Sequence, residues 1–362
     1  MFTQTRPVLR RVADALSSPL PVDAYLGLLD PLWSSTSLKG RVVSVTPETH
    51  RSATITIHPG RGFGRYEAGQ WVTVGVEIDG VRHRRCYSLT SNPERSEGLI
   101  SITVSAMPEG LVSNHLVYGT EPGDYLTLEQ PSGDFHLPAD RTNPMLFITG
   151  GSGITPAMGM IRTLVGAEEC HDVVLLHHAP DASETIFAAE LAELDKRTPG
   201  LTVNVAHTGA GAPPPELALT VERLDRECPD WRSRTAWACG PAPMLDDVET
   251  AFGSAGVADR LNIERFVPKA RPAAAGGEGG RVSFTSSGGD TVLDGSTTLL
   301  DGAEAAGLSP ASGCRMGICH TCVVPLESGC VRDVRTGELT SDPGTHVQVC
   351  VSVAAGDVEI AL

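Results

Sequence analysis

Long apolar runs are missing from this 362-residue chain. Its most apolar stretches, such as "MLFITG" and "DVVLLHHA", are far shorter than the roughly 20 residues that a membrane-spanning helix needs. The first residues also lack the uncharged core and small-residue cleavage site of a secretory signal. We therefore expect a cytoplasmic protein without a membrane span.

Positive charge is also scarce. The chain has 28 lysines and arginines against 44 acidic residues, which gives a formal net charge of -16. This balance argues against a nucleic-acid partner, because phosphates are bound by clusters of basic side chains. It favours a partner that presents a basic face. The length predicts two or three domains, each with its own core.

The chain has nine cysteines, which is an odd number, and no export signal. These two facts argue against a disulfide framework and favour metal or redox use. Five of them are scattered along the chain. We expect these five to be small buried apolar residues: Cys86, Cys170, Cys228, Cys239 and Cys330.

Two segments differ in the rhythm of their apolar residues. From 40 to 140, short β-type runs alternate with turn residues, which predicts an antiparallel barrel or sandwich. From 141 to 267, apolar strands, glycine turns and helical stretches alternate, which predicts a parallel sheet flanked by helices. The chain should therefore contain a β domain followed by an α/β domain.

Three further segments complete the predicted organisation. Residues 268–280 are rich in alanine, glycine and proline and are typical of a flexible linker. Residues 281–362 have short strands around one helical stretch, which predicts a small α+β domain. Residues 1–39 form an N-terminal extension whose stretch "RPVLRRVADAL" is amphipathic. That stretch either packs on its own protein or contacts a membrane surface.

The stretch "CRMGICHTC" contains Cys314, Cys319 and Cys322, and a fourth cysteine, Cys350, follows much later in "VQVCVS". This spacing matches the pattern in which four thiolates hold a plant-type 2Fe–2S cluster. Glycines within the loop allow a tight turn and backbone N–H groups aimed at an anionic cluster. Structural zinc is the alternative, but zinc sites usually come as two Cys-x2-Cys pairs, and here the fourth cysteine is alone.

On these residues the segment 281–362 resembles a plant-type ferredoxin domain of β-grasp type. The preceding segments resemble the ferredoxin-NADP reductase superfamily, and nearly the whole chain resembles actinobacterial reductases that serve acyl-CoA desaturases. The resemblance implies a barrel that binds FAD, an α/β domain that binds NADH or NADPH, and a 2Fe–2S domain.

The stretch "RRCYSLT" matches the flavin-binding motif of this family. The resemblance assigns Arg85 to the FAD pyrophosphate, Tyr87 to the face of the isoalloxazine ring, and Ser88 to the catalytic region near flavin N5. A guanidinium suits phosphate, an aromatic ring stacks on a planar one, and a hydroxyl can donate or accept. In "PEGLVSNHL", Gly110 and Ser113 match the family's phosphate-binding turn, where a helix start offers N–H groups to the pyrophosphate.

The stretch "MLFITGGSGITPAMGMI" predicts a buried strand, a glycine turn and a helix with Thr155 as its N-cap and Pro156 at the first helical position. The resemblance implies that this turn receives the pyrophosphate of the nicotinamide coenzyme. The residues assigned to the turn are Gly150, Gly151, Gly153 and Thr155.

The motif "ACGPAPM" places Cys239, Gly240 and Pro241 at the end of a strand, where open α/β sheets bind ligands. By resemblance, Cys239 lies near the carbon that gives up hydride, and it shapes the pocket without acting as a nucleophile. In the family, arginines that follow the two middle strands align with Pro180 and Gly209, so both arginines are absent here. We therefore expect NADH to be preferred over NADPH, unless Arg162, Arg232 or Arg234 compensates for the missing arginines.

The resemblance implies electron transfer from NAD(P)H through FAD and the cluster to a separate oxygenase-type enzyme, in the first place a fatty-acyl desaturase. That partner should carry a basic docking face and could bring the chain to a membrane peripherally. A hydroxylase and a haem-thiolate monooxygenase are alternative partners. A redox-sensing flavoprotein is the competing class, although no segment is left over for an output domain.

Overall fold

The computed structural model describes residues 27, 29–34, 37–209, 218–266, 279–308, 310–317 and 320–362. The amphipathic N-terminal stretch, most of the predicted linker and Cys319 lie outside the described residues. The chain divides into two compact units, one with the residues up to Arg82 and Tyr87–Glu264, the other with His83–Cys86 and Arg265–Leu362. None of the described helices is both long and apolar enough to cross a membrane.

Six strands form the antiparallel sheet of the first predicted domain. They are β1 (Lys39–Thr49), β2 (Ser52–Pro59), β3 (Trp71–Ile78), β4 (Val81–Ser88), β5 (Ile100–Ser105) and β6 (Tyr125–Leu128), in the order β4-β3-β6-β1-β2-β5. A bridge between Leu89 and Ile102 brings the chain just after β4 against β5, so the two edges of the sheet meet. The fully buried side chains of Ile55 and Val72 belong to its core. The predicted antiparallel barrel is therefore confirmed.

A parallel sheet forms the second predicted domain. The chain runs through β7 (Met145–Gly150), α2 (Ile154–Gly166), β8 (Val173–Ala179), α3 (Ala188–Arg197), β9 (Leu201–His207), α4 (Val221–Glu227), β10 (Thr235–Cys239), α5 (Ala242–Ser254) and β11 (Leu261–Glu264); α1 (Leu111–Asn114) precedes it in the barrel domain. The strands lie in the order β11-β10-β7-β8-β9. The chain therefore adds strands first on one side of β7 and then on the other, and the switch point lies between the parallel neighbours β7 and β10. Open parallel sheets bind ligands at such a switch point, beyond the carboxyl ends of the strands.

The last domain is a mixed sheet with one helix, as predicted. Its elements are β12 (Gly280–Phe284), β13 (Gly289–Leu293), α6 (Leu299–Ala305), β14 (Val323–Asp333), β15 (Leu339–Thr340), β16 (His346–Gln348) and β17 (Ser352–Ile360). Strands β12 and β17 are parallel, and the other pairings are antiparallel. Leu299, Leu300 and Ala303 of α6 are buried in the core of this domain. The cysteine motif lies in the segment between the end of α6 and the start of β14.

Arg234 stabilises the α/β domain from inside. Its side chain is 7% exposed and pairs with Asp172 at 2.7 Å and with Asp230 at 2.8 Å. Its Nη1 also donates to the backbone oxygen of Met145 at 3.2 Å. The start of β7, the start of β8 and the turn before β10 are therefore joined by one guanidinium.

We predict that Arg234→Ala lowers the free energy of unfolding by about 3 kcal/mol, because it leaves two carboxylates and a carbonyl without their buried cation. The matched control is Arg232→Ala, since Arg232 is 42% exposed in its pair with Asp225 and should cost less than about 1 kcal/mol. Urea unfolding followed by tryptophan fluorescence measures both. Equal midpoints for the two variants would contradict the prediction.

Candidate functional site

The end of β4 presents the predicted flavin residues. Ser88 is buried, and its hydroxyl oxygen has no hydrogen-bond partner among the described residues. Tyr87 is half-buried against the barrel core, and Arg85 donates from Nη1 to the backbone oxygen of Arg84 at 2.7 Å. Because side chains alternate along a strand, Arg85 and Tyr87 share one face and Ser88 lies on the other. A buried hydroxyl without a partner fits a site that a polar ring atom of a flavin would complete.

The predicted phosphate turn is compact. Gly110 is the N-cap of α1, and a side chain there would overlap the hydroxyl of Ser113. That hydroxyl accepts from the backbone N–H of Met107 at 3.1 Å and donates to the carbonyl of Gly110 at 3.1 Å. The Ser113 side chain therefore shapes the turn. A pyrophosphate at this turn, as the resemblance implies, would meet the backbone N–H groups that a first helical turn leaves without intrahelical partners.

The glycine turn after β7 meets the end of β10 at the switch point. A Cβ atom on Gly153 would overlap the carbonyl of Cys239, and one on Gly240 would lie 2.9 Å from the backbone nitrogen of Gly150. A Cβ atom on Gly150 would lie 2.8 Å from Cδ of Pro241. The structure therefore brings together the two motifs that the sequence assigned to the coenzyme. Glycines are required because the two backbones approach within contact distance.

The helix after this turn begins earlier than predicted. A short 3-10 segment covers Gly151–Gly153, Gly153 holds the N-cap position, and α2 begins at Ile154. The prediction that Thr155 caps the helix is therefore wrong by two residues, because the 3-10 turn already winds the chain. Thr155 lies in the first turn, where its hydroxyl donates to the carbonyl of Ser152 at 3.0 Å. Gly151 has φ +53° and no atom within 4 Å of an added Cβ, so its backbone faces open space.

Cys239 has a neighbour that the sequence reasoning missed. Cys239 is 1% exposed, and burial, with Glu264 adding to it, raises the pKa of its thiol well above the ordinary value. Glu264 pairs with Cys239 across β10 and β11. Burial raises the pKa of Glu264 to about 8, and its Oε2 has no hydrogen-bond partner among the described residues. A protonated thiol and a protonated carboxyl thus stand side by side at the carboxyl edge of the sheet.

Pro180 and Gly209, the two positions that the resemblance aligned with arginines, lie next to each other. The backbone N–H of Gly209 donates to the carbonyl of Pro180 at 2.9 Å. The three arginines named as compensating candidates are each held by carboxylates of the α/β domain. These pairs are Arg162 with Glu190, Arg232 with Asp225, and Arg234 with Asp172 and Asp230. None of the three is therefore a spare cation for a 2′-phosphate.

A cavity of about 340 Å³ lies between β8, β9 and α4. Arg223 and Arg226 line it, together with His178, whose two ring nitrogens have no hydrogen-bond partner among the described residues. Burial and then the charge of Arg223 lower the pKa of His178 to about 4, so its ring is neutral at pH 7. Glu227 accepts from Nε of Arg223 at 2.7 Å and offsets part of the positive charge.

Three of the four predicted cluster ligands are described, and all three are buried: Cys314, Cys322 and Cys350. A hydrogen bond with Cys322, then burial and the charges of Cys322 and Cys314, raise the pKa of the Cys350 thiol far above its ordinary value. The backbone N–H of Met316 donates to Sγ of Cys314 at 3.3 Å. Sulfur-only donors with neighbouring N–H groups fit an iron–sulfur cluster.

In the part of the chain that the structure describes, no three metal-ligating side chains already stand in a metal-holding arrangement, and Cys319 lies outside that part. Among the scattered cysteines, Cys170, Cys228 and Cys239 are buried as expected. The expectation was wrong for Cys86 and Cys330, which are only half-buried, because each lies on a strand that is partly open to solvent.

These features define a class of protein, the flavin- and nicotinamide-dependent electron-transfer enzymes with an iron–sulfur domain. Family models match the chain in the same order. The oxidoreductase FAD-binding domain matches residues 49–137, the oxidoreductase NAD-binding domain residues 147–250, and the 2Fe-2S iron-sulfur cluster binding domain residues 286–355. The chain therefore belongs to the ferredoxin-reductase-type oxidoreductases with a C-terminal 2Fe–2S domain, and FAD, NAD(P)H and the cluster are its cofactors.

Individual relatives have the same organisation. An NADPH oxidoreductase of Mycobacterium tuberculosis is 46% identical over 353 residues, which cover 96% of this chain and 90% of the relative. The glycine betaine monooxygenase reductase subunit of Pseudomonas aeruginosa is 29% identical over 321 residues, with 82% and 87% covered. The solved structure of phthalate dioxygenase reductase has the same fold, with a TM-score of 0.64, 24% identity and coverage of 90% of this chain and 98% of that one.

The raised pKa of Glu264 predicts a pH dependence of stability. In the unfolded chain this carboxyl loses its proton near its ordinary pKa of 4.5, whereas in the folded chain it keeps the proton until about pH 8. The folded state thus binds more protons across this window, so its free energy of unfolding should fall as pH rises from 5 to 8. Glu264→Gln cannot lose this proton. Between pH 5 and pH 8 its free energy of unfolding should therefore rise by at least about 1 kcal/mol relative to that of the wild type.

The control for this prediction is Glu193→Gln, which changes an exposed carboxylate of the same domain. Urea unfolding at pH 5, 6, 7 and 8 measures all three proteins. If the Glu264→Gln and wild-type curves stay parallel across this range, the carboxyl of Glu264 is not protonated at neutral pH.

Proposed function

We propose that this protein is the reductase component of a two-protein system, which passes electrons from NAD(P)H to a separate oxygen-activating enzyme, in the first place a fatty-acyl desaturase. Nicotinamide gives up two electrons as hydride, a 2Fe–2S cluster takes one at a time, and bound FAD supplies the conversion between the two. The order of the three domains supports this path. The monooxygenase reductase name of the Pseudomonas relative supports an oxygenase-type acceptor.

The barrel residues would bind and orient the flavin. In this proposal Arg85 pairs with the pyrophosphate, Tyr87 covers the isoalloxazine ring and Ser88 donates or accepts at N5. The support for Ser88 is its buried hydroxyl without a partner. Gly110 and Ser113 would shape the turn whose backbone N–H groups face the pyrophosphate.

The α/β residues would bind the coenzyme at the switch point. Gly150, Gly151, Gly153 and Thr155 would form the turn under its pyrophosphate, and Gly240 and Pro241 would form the facing wall. Cys239 would bound the nicotinamide pocket as a neutral thiol, in line with its burial. Glu264 beside it would exclude bulk water and keep a proton at the edge of this pocket.

The electron path itself can be tested by stopped-flow mixing of the oxidised protein with NADH or NADPH. We predict that flavin absorbance bleaches first and that cluster absorbance follows. Cys350→Ser is the matched variant, because it removes one ligand of the cluster and leaves the barrel and the α/β domain untouched. It should keep flavin reduction and lose the second phase. Flavin reduction in the wild type without any later cluster bleaching would overturn the proposed path.

The single observation that carries the docking proposal is the charge of the last domain. Residues 281–362 hold ten acidic residues and four arginines, which gives -10 + 4 = -6. A surface of this sign steers association with a basic partner. A net charge of this sign would suit docking onto a desaturase, a hydroxylase or a haem-thiolate monooxygenase. An assay of partner reduction therefore tests one enzyme of each class, each in its own arm.

We predict that the second-order rate of partner reduction falls at least about tenfold between low ionic strength and 0.5 M salt, because steering charges are screened. Flavin reduction by the coenzyme provides the internal control and should change much less. The arm with the largest salt-dependent rate identifies the partner class, and vesicle co-sedimentation of the full chain tests peripheral membrane contact. A rate that is flat with salt in every arm would contradict electrostatic docking.

The residues after β8 and β9 support NADH as the preferred coenzyme, because Pro180 and Gly209 stand where the resemblance places arginine. The name of the Mycobacterium relative, an NADPH oxidoreductase, favours NADPH instead, and Arg223 and Arg226 of the cavity would then supply the cations. We predict that Pro180→Arg raises kcat/KM for NADPH at least about tenfold, which corresponds to 1.4 kcal/mol, and leaves NADH unchanged. A wild type that already prefers NADPH and loses that preference in Arg226→Gln would overturn the NADH proposal.

A further inference from the structure

A guanidinium lies against the loop of the cysteine motif. Arg335 follows β14, and its Nη1 donates a hydrogen bond of 2.9 Å to the carbonyl oxygen of Gly317, inside "CRMGICHTC". The same carbonyl accepts a second hydrogen bond, 2.8 Å long, from Nε2 of Gln348 on β16. Gln348 lies two residues before Cys350. Two side chains from outside the loop therefore hold one of its carbonyl groups.

The guanidinium is itself fixed in position. Its Nε and Nη2 donate to the two carboxylate oxygens of Asp333 at 3.1 and 2.6 Å, and Nη2 also donates to Oε1 of Gln348 at 2.9 Å. This uses the planar fork of donors that distinguishes arginine from lysine. Gly317 has φ +72°, and a side chain at that position would overlap the guanidinium. The glycine is therefore required both for the turn and for the approach of Arg335.

The position of this cation has an electrostatic consequence. The guanidinium binds the carbonyl of Gly317, three residues after Cys314, and the side chain of Gln348, two residues before Cys350, and its side chain is 33% exposed. Charges that are partly buried are screened less than surface charges. Reduction adds one negative charge to a cluster, so a fixed cation beside its ligands favours the reduced form. Asp333 opposes part of that effect because it carries the opposite charge next to the guanidinium.

We propose that Arg335 is a positioning residue of the 2Fe–2S site, which holds the ligand loop through the carbonyl of Gly317 and raises the midpoint potential of the cluster. Asp333 and Gln348 orient it. The inference rests on the proposed function, because the potential of the cluster decides how readily it takes electrons and passes them on. Its two parts, loop support and charge, are separable by substitution.

The charge is tested by a redox titration of the purified holoprotein, followed by electron paramagnetic resonance without coenzyme or partner. Arg335→Gln should shift the midpoint potential to more negative values, and Asp333→Asn should shift it to more positive ones. Arg335→Lys keeps the charge and should restore most of the wild-type potential. The matched control is Arg332→Gln, an identical change of charge on β14. The Arg332 side chain makes no hydrogen bond or ion pair with any described residue, and its substitution should shift the potential far less.

Loop support is tested by the rate at which iron passes to a chelator under anaerobic conditions. Arg335→Gln removes the guanidinium that binds Gly317, Asp333 and Gln348. Iron release should therefore be about tenfold faster than in the wild type, as for other residues that orient metal ligands. Arg335→Lys should also release iron faster than the wild type, since an ammonium group cannot hold Gly317, Asp333 and Gln348 together. Arg332→Gln should release iron at the wild-type rate.

Equal midpoint potentials for Arg335→Gln and Arg332→Gln, together with equal rates of iron release, would overturn the proposal. If Arg335→Gln does not fold, Asp333→Asn and Arg335→Lys decide the outcome: a potential of Asp333→Asn at or below the wild-type value overturns the charge effect, and unchanged iron release in Arg335→Lys overturns loop support. Because the titration uses neither coenzyme nor partner, a fault in the proposed electron delivery cannot imitate these results. Purified protein without any iron would sink the proposed function instead.

Discussion

Two backbones approach each other at the switch point of the parallel sheet, and the coenzyme site depends on this contact. The turn after β7 and the end of β10 come so close that Gly153 cannot carry a side chain without overlapping Cys239. Gly240 and Gly150 are under the same constraint. The two motifs therefore lie in contact with each other, and α2 begins at the residue that follows Gly153. Any larger residue here would separate the walls of the site.

Burial sets the charge state of the groups around that surface. The thiol of Cys239 and the carboxyl of Glu264 both have raised pKa values because little water reaches them. In the proposed function, neutral groups at this position would suit hydride chemistry, since they would neither attack the coenzyme nor draw water in. A nucleophilic role for Cys239 would need a nearby base to remove its proton, and a protonated carboxyl does not serve as one.

The iron–sulfur domain solves the opposite problem, which is to hold negative charge in a buried place. The backbone N–H of Met316 donates to Sγ of Cys314, and the guanidinium of Arg335 binds the carbonyl of Gly317 in the same loop, where the glycine again gives the space for a close approach. Close backbone packing thus serves both the α/β domain and the iron–sulfur domain. In one it makes room for a coenzyme and in the other for a cation.

Local patterns were enough to predict a large part of this architecture. The alternation of apolar residues in "ATITI" and "LISITVS" and the strand–glycine–helix rhythm after residue 141 indicated the right domain types. The predicted N-cap of α2 was wrong because the 3-10 turn after Gly150 leaves no trace in the pattern of apolar residues. Glu264 and Arg335 were missed because each is an ordinary charged residue in its own stretch of chain. Strand pairing brings Glu264 beside Cys239, and a long-range hydrogen bond brings Arg335 to the loop at Gly317.

The sequence by itself determined the order of the domains, the spacing of the four cysteines and the glycine turns, because each follows from short-range periodicity or from a motif within a few residues. The tertiary structure alone decided which distant groups meet, such as Cys239 with Glu264 across two strands and the guanidinium of Arg335 with the carbonyl of Gly317. It also decided which of the groups are buried. Burial and long-range contact depend on how distant segments pack, and no local pattern carries that information.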